Sequence, residues 1–300
     1  MVLRVAFVFS LLFLFSCETK EPSVEDQLSK LAEAYRLQPT EERANSYFTL
    51  ASTYIGDNKE NFEVVRPILL KASEIGYQAK MFPKSASYLM PVLQQEGANE
   101  TNSDLVIRLG DLLRGMRKTH AADIVYKSYL ELNPNAADLD QVASKMTSEL
   151  GSSKGYLKYL FDQVLVDPDE FGINRVNALK FVDGAEAFAL INKNDEETPQ
   201  YLYQAAEVAR SLRTMPKAMS LYDWILDSYP DYPKSPTVLF IKGFILEQEF
   251  KQEDEARKAY QDFIERYPNH EMASSAQFLL DNMGKSDEEI LESIEAQKSE

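Results

Sequence analysis

Three stretches of this chain repeat one spacing. In 103–136 the pair Leu109-Gly110 is followed by Leu113 one helical turn on, then by Ala122 twelve residues after the glycine, and then by Tyr126, Tyr129 and Pro134. In 199–232 the same places are taken by Ala205-Ala206, Ala209, Ala218, Tyr222, Ile225 and Pro230. In 237–269 they are taken by Gly243, Ala256, Tyr260, Phe263 and Pro268, with one extra residue in the turn at 251–254. Small residues at matched points let two helices approach closely, and the tyrosines fill the gap to the next repeat. The prolines stop the second helix, because proline disfavours helix in the residue before it and cannot donate the next hydrogen bond. The spacing therefore specifies packing. Short helices that each carry one apolar stripe bury it by stacking pair upon pair.

The period and the small, aromatic and proline positions resemble the tetratricopeptide (TPR) repeat of about 34 residues. From residue 24 onward apolar residues recur at i, i+3, i+4 and i+7 with almost no period-two alternation, so the expected fold is all-α, a TPR-like α-solenoid of stacked antiparallel helix pairs over 27–286. Outside the three clear copies, 27–37 reads as the closing helix of a repeat, 45–55 as a first helix and 62–75 as its partner. Residues 77–95 read as a helix pair or a helix interrupted by Pro83 and Pro91, and 272–283 as a capping helix. Thr198-Pro199 reads as an N-cap with proline at the first helical position. Residues 137–198 diverge from the repeat, with helices expected at 138–150, 155–166 and 172–193. A charged helix fraying into a tail is expected at 287–300.

The N-terminus reads as an address. A short positive start precedes an apolar run, 5–15, interrupted only by Ser10. That run is shorter than the roughly 20 residues needed to span a bilayer and has the proportions of a signal-peptide core. It ends in Leu14-Phe15-Ser16-Cys17, which resembles a bacterial lipobox, and Cys17 is the sole cysteine of the chain. The resemblance implies a lipoprotein signal peptide at 1–16, lipidation of Cys17, and a flexible lipidated linker at 17–26. A chain so anchored holds to the membrane without a protein helix in the bilayer, each buried CH₂ contributing about 0.8 kcal/mol.

Catalytic signatures are missing from the sequence. It has no phosphate loop, Gly-x-Gly-x-x-Gly, Gly-x-Ser-x-Gly or His-Glu-x-x-His motif. The two histidines, His120 and His270, fall in or beside inter-helical turns and read as solvated. Acidic runs at 195–197, 253–255 and 287–289 lack the alternating oxygen ligands and central glycine of a calcium loop. No metal, cofactor or enzymatic activity is expected. With 48 acidic against 32 basic side chains the formal charge is −16, and removal of 1–16 takes away only Arg4, giving −17. Nucleic acid, whose binding rests on neutralising phosphates, is not an expected partner.

A binding surface remains. In TPR superhelices the first helices line the concave groove, and repeat register places Asn45, Phe48, Ser52, Asp111, Arg114, Tyr203, Glu207, Arg210, Phe240, Phe244 and Glu247 there. Aromatic side chains among opposite charges suit a protein segment. The stretch from Tyr260 to His270, with Ala273 and Ala276, resembles repeats of bacterial envelope TPR proteins, including the lipoprotein that supports outer-membrane β-barrel assembly and the periplasmic partner of the Tol-Pal system. That likeness implies a lipid-anchored, non-catalytic adaptor in the bacterial cell envelope, at the outer membrane facing the periplasm or exposed at the surface, that binds another envelope protein. The alternative is an accessory glycan- or peptidoglycan-binding lipoprotein, for which Tyr156, Tyr159 and Phe161 are the dense aromatic candidates.

Overall fold

A computed structural model describes residues 22–149, 151–165, 172–286 and 288–291. The lipobox and Cys17 lie outside the described residues, as does most of 287–300. The chain divides into two compact units, Met1–Ile68 and Leu69–Glu300.

In the first unit α1 (Val24–Leu37) packs on α2 (Glu41–Asp57). Helix α1 begins inside the expected linker 17–26 because Ser23 and Asp26 form a capping box: the Asp26 amide donates to Ser23 Oγ at 3.1 Å and the Ser23 amide to Asp26 Oδ2 at 3.3 Å. Leu28, Tyr35, Ala44, Tyr47, Phe48 and Ala51 form its buried face.

The boundary between the units falls within α3, and from there helical hairpins follow. Helix α3 (Phe62–Gln78) turns into α4 (Phe82–Glu96), α5 (Ser103–Gly115) into α6 (Thr119–Leu132), α10 (Thr198–Ser211) into α11 (Met215–Ser228), and α12 (Ser235–Gln248) into α13 (Glu253–Arg266). The last three are the repeats expected from spacing. The first pairs α3, expected as the partner of 45–55, with α4 through a turn like those of the clear repeats. Gly76 lies so close to α4 that a Cβ there would sit 3.0 Å from Ser85 Cα, and the Ser73 and Ser85 hydroxyls meet at 3.2 Å.

All four hairpins turn the same way. Each places a basic residue in the left-handed region: Lys80 (φ 56), Arg117 (φ 63), Arg213 (φ 60) and Lys251 (φ 56). The next amide then reaches back to a carbonyl near the end of the first helix, as Lys118 N does to Leu113 O at 2.8 Å and Thr214 N to Ala209 O at 2.9 Å. In the α12–α13 turn, with its extra residue, Gln252 N reaches Leu246 O at 2.9 Å. These bonds satisfy carbonyls that the helix end leaves open. Left-handed backbone costs an L-residue about 1–2 kcal/mol, so Arg117→Gly is expected to raise stability by about 1 kcal/mol, read as a higher denaturant midpoint; an unchanged or lower midpoint contradicts it.

The divergent block holds the central helix. α9 (Arg175–Ile191) packs against α4, α6, α8 (Ser153–Asp162) and α10, and almost every residue from Phe181 to Ile191 is buried. A helix apolar on all sides belongs inside. Gly184 permits its approach to α6, where a Cβ would meet Ile124 Cδ1 at 2.8 Å. The loop after α4 is pinned to its end, Ala98 N donating to Ile191 O at 3.3 Å and Asn102 Nδ2 to Gly97 O at 2.9 Å. The helix expected at 138–150 shrinks to α7 (Leu139–Ala143), because the chain beyond Ala143 leaves the helix to reach α5 and α6 with Lys145 and Thr147. The helix expected at 155–166 stops at Asp162, after which Leu165 bridges Ile173 antiparallel. Thr198 is not an N-cap: fully buried, its hydroxyl donates to Asn192 O at 2.6 Å, and Glu197 holds the cap position.

α14 (Ala273–Asn282) closes the last repeat, with Ala276 buried against the cluster of Tyr260 and Phe263. Trp224, on α11, is buried in the core. Among the described residues no helix is long and apolar enough to cross a membrane.

Candidate partner-binding groove

The three clear repeats share one internal clasp. A phenol on the second helix reaches a carboxylate on the first: Tyr126 Oη donates to Asp111 Oδ1 at 3.2 Å, Tyr222 Oη to Glu207 Oε1, and Tyr260 Oη to Glu247 Oε2 at 2.8 Å. All three rings are fully buried. Burial first, and the facing carboxylate next, push each phenol far above the ordinary tyrosine value. The small residue of the motif makes room for the ring. A Cβ on Gly110 would stand 2.2 Å from Tyr126 Cζ, and one on Gly243 2.8 Å from Tyr260 Cε1.

Beside these clasps the surface of α10 and α12 opens into two pockets that adjoin at Ser211. The first, of 580 Å³, lies between the end of α8 and α10, with Phe161, Leu165, Ile173, Tyr203 and Glu207 in its walls. The Lys234 ammonium stands 4.3 Å from the Tyr203 ring centroid, a cation–π contact at its edge. The second, of 520 Å³, lies between α10 and α12 and is lined by Arg210, Met215, Phe240, Phe244 and Ile245. Phe244 is 46% exposed. Phe240 is held from beneath by Tyr260 and Phe263, with ring centroids 6.0 and 5.8 Å away. Arg210 pairs with Glu207 at 2.6 Å across the boundary between the pockets.

The structure does not gather every residue that register placed in the groove. Tyr203, Glu207, Arg210, Phe240 and Phe244 line this open face. Glu247 is engaged by Tyr260. Asn45 and Ser52 are exposed on α2 in the first unit, and Phe48 on the same helix is buried at 3% exposure. Asp111 and Arg114 are covered. Asp111 accepts from Tyr77 Oη at 3.2 Å and, through both oxygens, from Lys145 Nζ at 3.1 Å. Arg114 Nη2 donates to buried Asp123 at 3.2 Å, with its guanidinium 5.2 Å from the Tyr126 ring centroid. Register could not find Phe161, Leu165 and Ile173, because they belong to the block without repeats.

Neither histidine is a solvated turn residue. His120, at the start of α6, is half-buried, hydrogen-bonded through Nδ1 to the Tyr156 hydroxyl and stacked on its ring at 5.8 Å. Burial, helped by the nearby Lys180, lowers its pKa. His270 Nδ1 accepts from the Met272 amide at 3.2 Å. Tyr159 stacks on Tyr156 at 5.9 Å and is 54% exposed, whereas Phe161 packs on Phe181 at 4.9 Å. Among the described residues no three His, Cys, Asp or Glu group as metal ligands.

The family model for the tetratricopeptide repeat matches residues 237–270, the stretch that forms α12, its turn and α13. This segment is similar to a tetratricopeptide repeat. The α5–α6 and α10–α11 pairs share its clasp and turn, and the fold is a TPR-like α-solenoid. TPR domains generally bind protein partners, and folds of this kind typically serve as non-catalytic scaffolds. No curated protein matches the chain.

Proposed function

We propose that this chain is a non-catalytic adaptor that binds a segment of another protein along the face of α10 and α12, and that lipid on Cys17 holds it at a membrane of the bacterial cell envelope. The adjoining pockets carry the first part. They present exposed Phe244, half-buried Tyr203 and Phe240, and the Glu207–Arg210 pair on two rigid helices. Aromatic anchors with a polar border are what protein segments are recognised by. The lipobox-like Leu14-Phe15-Ser16-Cys17 supports the second part. An envelope protein at the outer membrane, facing the periplasm or exposed at the surface, fits the resemblance of the last repeat to envelope TPR proteins.

The test uses the full-length chain as bait for envelope proteins. Tyr203→Ala with Phe240→Ala is expected to weaken capture of a defined partner at least about tenfold, since loss of hot-spot side chains costs about 2 kcal/mol or more. Lys258→Ala, exposed on α13 and in the wall of neither pocket, is expected to leave capture unchanged. Fatty-acid labelling lost on Cys17→Ser tests the anchor separately. The glycan reading draws on the exposed Tyr159 stacked on Tyr156. Binding to glycan fractions that disappears on Tyr159→Ala, without protein capture, would replace the adaptor reading by that one.

A further inference from the structure

Two of the three clear repeats leave the groove positions of their first helix on open pockets, and one does not. Glu207 and Arg210 on α10, and Phe244 on α12, face the pockets. Of their counterparts on α5, Asp111 is held by Lys145 of the same chain, and Arg114 is paired with Asp123, to which Thr147 bonds. Lys145 Nζ bonds both oxygens of Asp111 at 3.1 Å. The Thr147 amide donates to Asp123 Oδ1 at 3.0 Å and its hydroxyl to Asp123 Oδ2 at 2.8 Å. Asp123 is 1% exposed and is also paired with Arg114.

These contacts have the pattern of recognition rather than of core packing. Ser144 and Thr147 are exposed, Lys145 and Met146 are half-buried, and the nearest anchoring apolar residue is Val142 on α7. Two charged or buried carboxylates hold the segment, one through an ammonium and the other through a main-chain amide and a hydroxyl. The site also keeps an unused donor: Arg114 Nε is buried and has no hydrogen-bond partner among the described residues. A competing segment that brings an acceptor to Arg114 would satisfy a group that residues 144–147 leave open.

We propose that residues 144–147 are an internal ligand of the α5–α6 end of the groove, and that this site takes a protein segment carrying a lysine and, two residues later, a threonine or serine. The assignment rests on reading the first-helix face as a binding groove, but it involves a different repeat from the pockets and its test needs no outside partner. While the internal segment is docked, Asp111 and Asp123 are closed to other chains. When it is displaced, the open face gains an acidic extension suited to a basic, hydroxyl-bearing peptide.

The probe is a fluorescent peptide with the sequence of 144–149, Ser-Lys-Met-Thr-Ser-Glu, added to the full-length chain. Tethering gives the internal segment an effective concentration on the order of millimolar, so binding to the unaltered chain is expected to be at least about tenfold weaker than to the K145A/T147V variant. A control peptide with alanine for the lysine and valine for the threonine is expected not to bind either protein. In the unaltered chain, excess peptide is expected to speed hydrogen exchange of the Thr147 amide, and this holds even if the variant folds poorly. Equal binding of peptide and control, no binding to a folded K145A/T147V variant, or Thr147 exchange indifferent to excess peptide would each overturn the proposal. Loss or survival of partner capture in the Tyr203 and Phe240 variant bears on the open pockets and leaves this outcome untouched.

Discussion

Gly110→Ala is expected to destabilise the α5–α6 repeat by about 2–3 kcal/mol. The new Cβ would lie 2.2 Å from Tyr126 Cζ and 2.3 Å from its hydroxyl oxygen. That ring cannot step aside, because it is fully buried, its hydroxyl is bonded to Asp111, and the Arg114 guanidinium lies over it. Overpacking typically costs about 1–3 kcal/mol and occasionally more, and a rigid ring in a closed slot belongs at the top of that range. The better helix preference of alanine returns only about 1 kcal/mol. Two further substitutions calibrate the result. At Gly243 the Cβ would stand 2.8 Å from the edge of Tyr260, a smaller overlap with a ring held in the same way, so Gly243→Ala should cost less than Gly110→Ala. At Gly56 nothing lies within 4 Å, and Gly56→Ala should stabilise by about 0.5–1 kcal/mol. In repeat proteins stability is largely a sum of local terms, so hydrogen exchange in Gly110→Ala should quicken in α5 and α6 before α12 and α13. Ordinary exchange in α5 with an unchanged denaturant midpoint would show that the Tyr126 slot is not rigid.

The glycine at 110 was visible in the sequence as a packing residue, and so was the fold. Repeat spacing carried α5–α6, α10–α11 and α12–α13, because each position of the motif answers to one close approach between two helices. It failed where tertiary contacts outweigh local pattern. Residues 144–149 have an acceptable helical pattern, yet Lys145 and Thr147 gain more from Asp111 and Asp123 than from continuing α7. The α3–α4 pair escaped notice because its close approach uses Gly76 and Ser85, near the ends of their helices, and its turn signature, a basic residue in left-handed backbone at Lys80, has no compositional mark. Register found one wall of the open groove, Tyr203 to Phe244. The other wall, Phe161, Leu165 and Ile173, comes from a non-repeating block whose course depends on α9 being drawn into the core. Phe48, placed in the groove by register, is buried, and sequence alone does not separate an exposed groove aromatic from a buried one.

Stability should fall steeply once the pH passes about 10, through the three tyrosine–carboxylate clasps. In the folded chain Tyr126, Tyr222 and Tyr260 titrate far above the ordinary value of 10.0, because ionising them would bury a phenolate beside a carboxylate. In the unfolded chain they lose their protons near that ordinary value. Between the two, the folded state binds more protons than the unfolded one, so raising the pH favours unfolding. The contribution is fully present below pH 10 and is lost as the pH climbs toward the folded values. Each tyrosine supplies a slope of about 1.4 kcal/mol per pH unit, and three acting together about 4 kcal/mol per pH unit. Tyr229 and Tyr232, pushed up by burial to about 12, add to the slope over the lower part of the same window. Denaturant unfolding at successive alkaline pH values measures the slope directly, and phenolate absorbance should appear together with unfolding rather than before it. The variant Tyr222→Phe separates this cause from general charge repulsion. At neutral pH it should cost about 1 kcal/mol for the lost hydrogen bond, with Glu207 still paired to Arg210. Above pH 10 its slope should be shallower by one tyrosine's share, so that the two stability curves converge. Parallel curves would mean that net negative charge, and not the buried phenols, drives the alkaline transition.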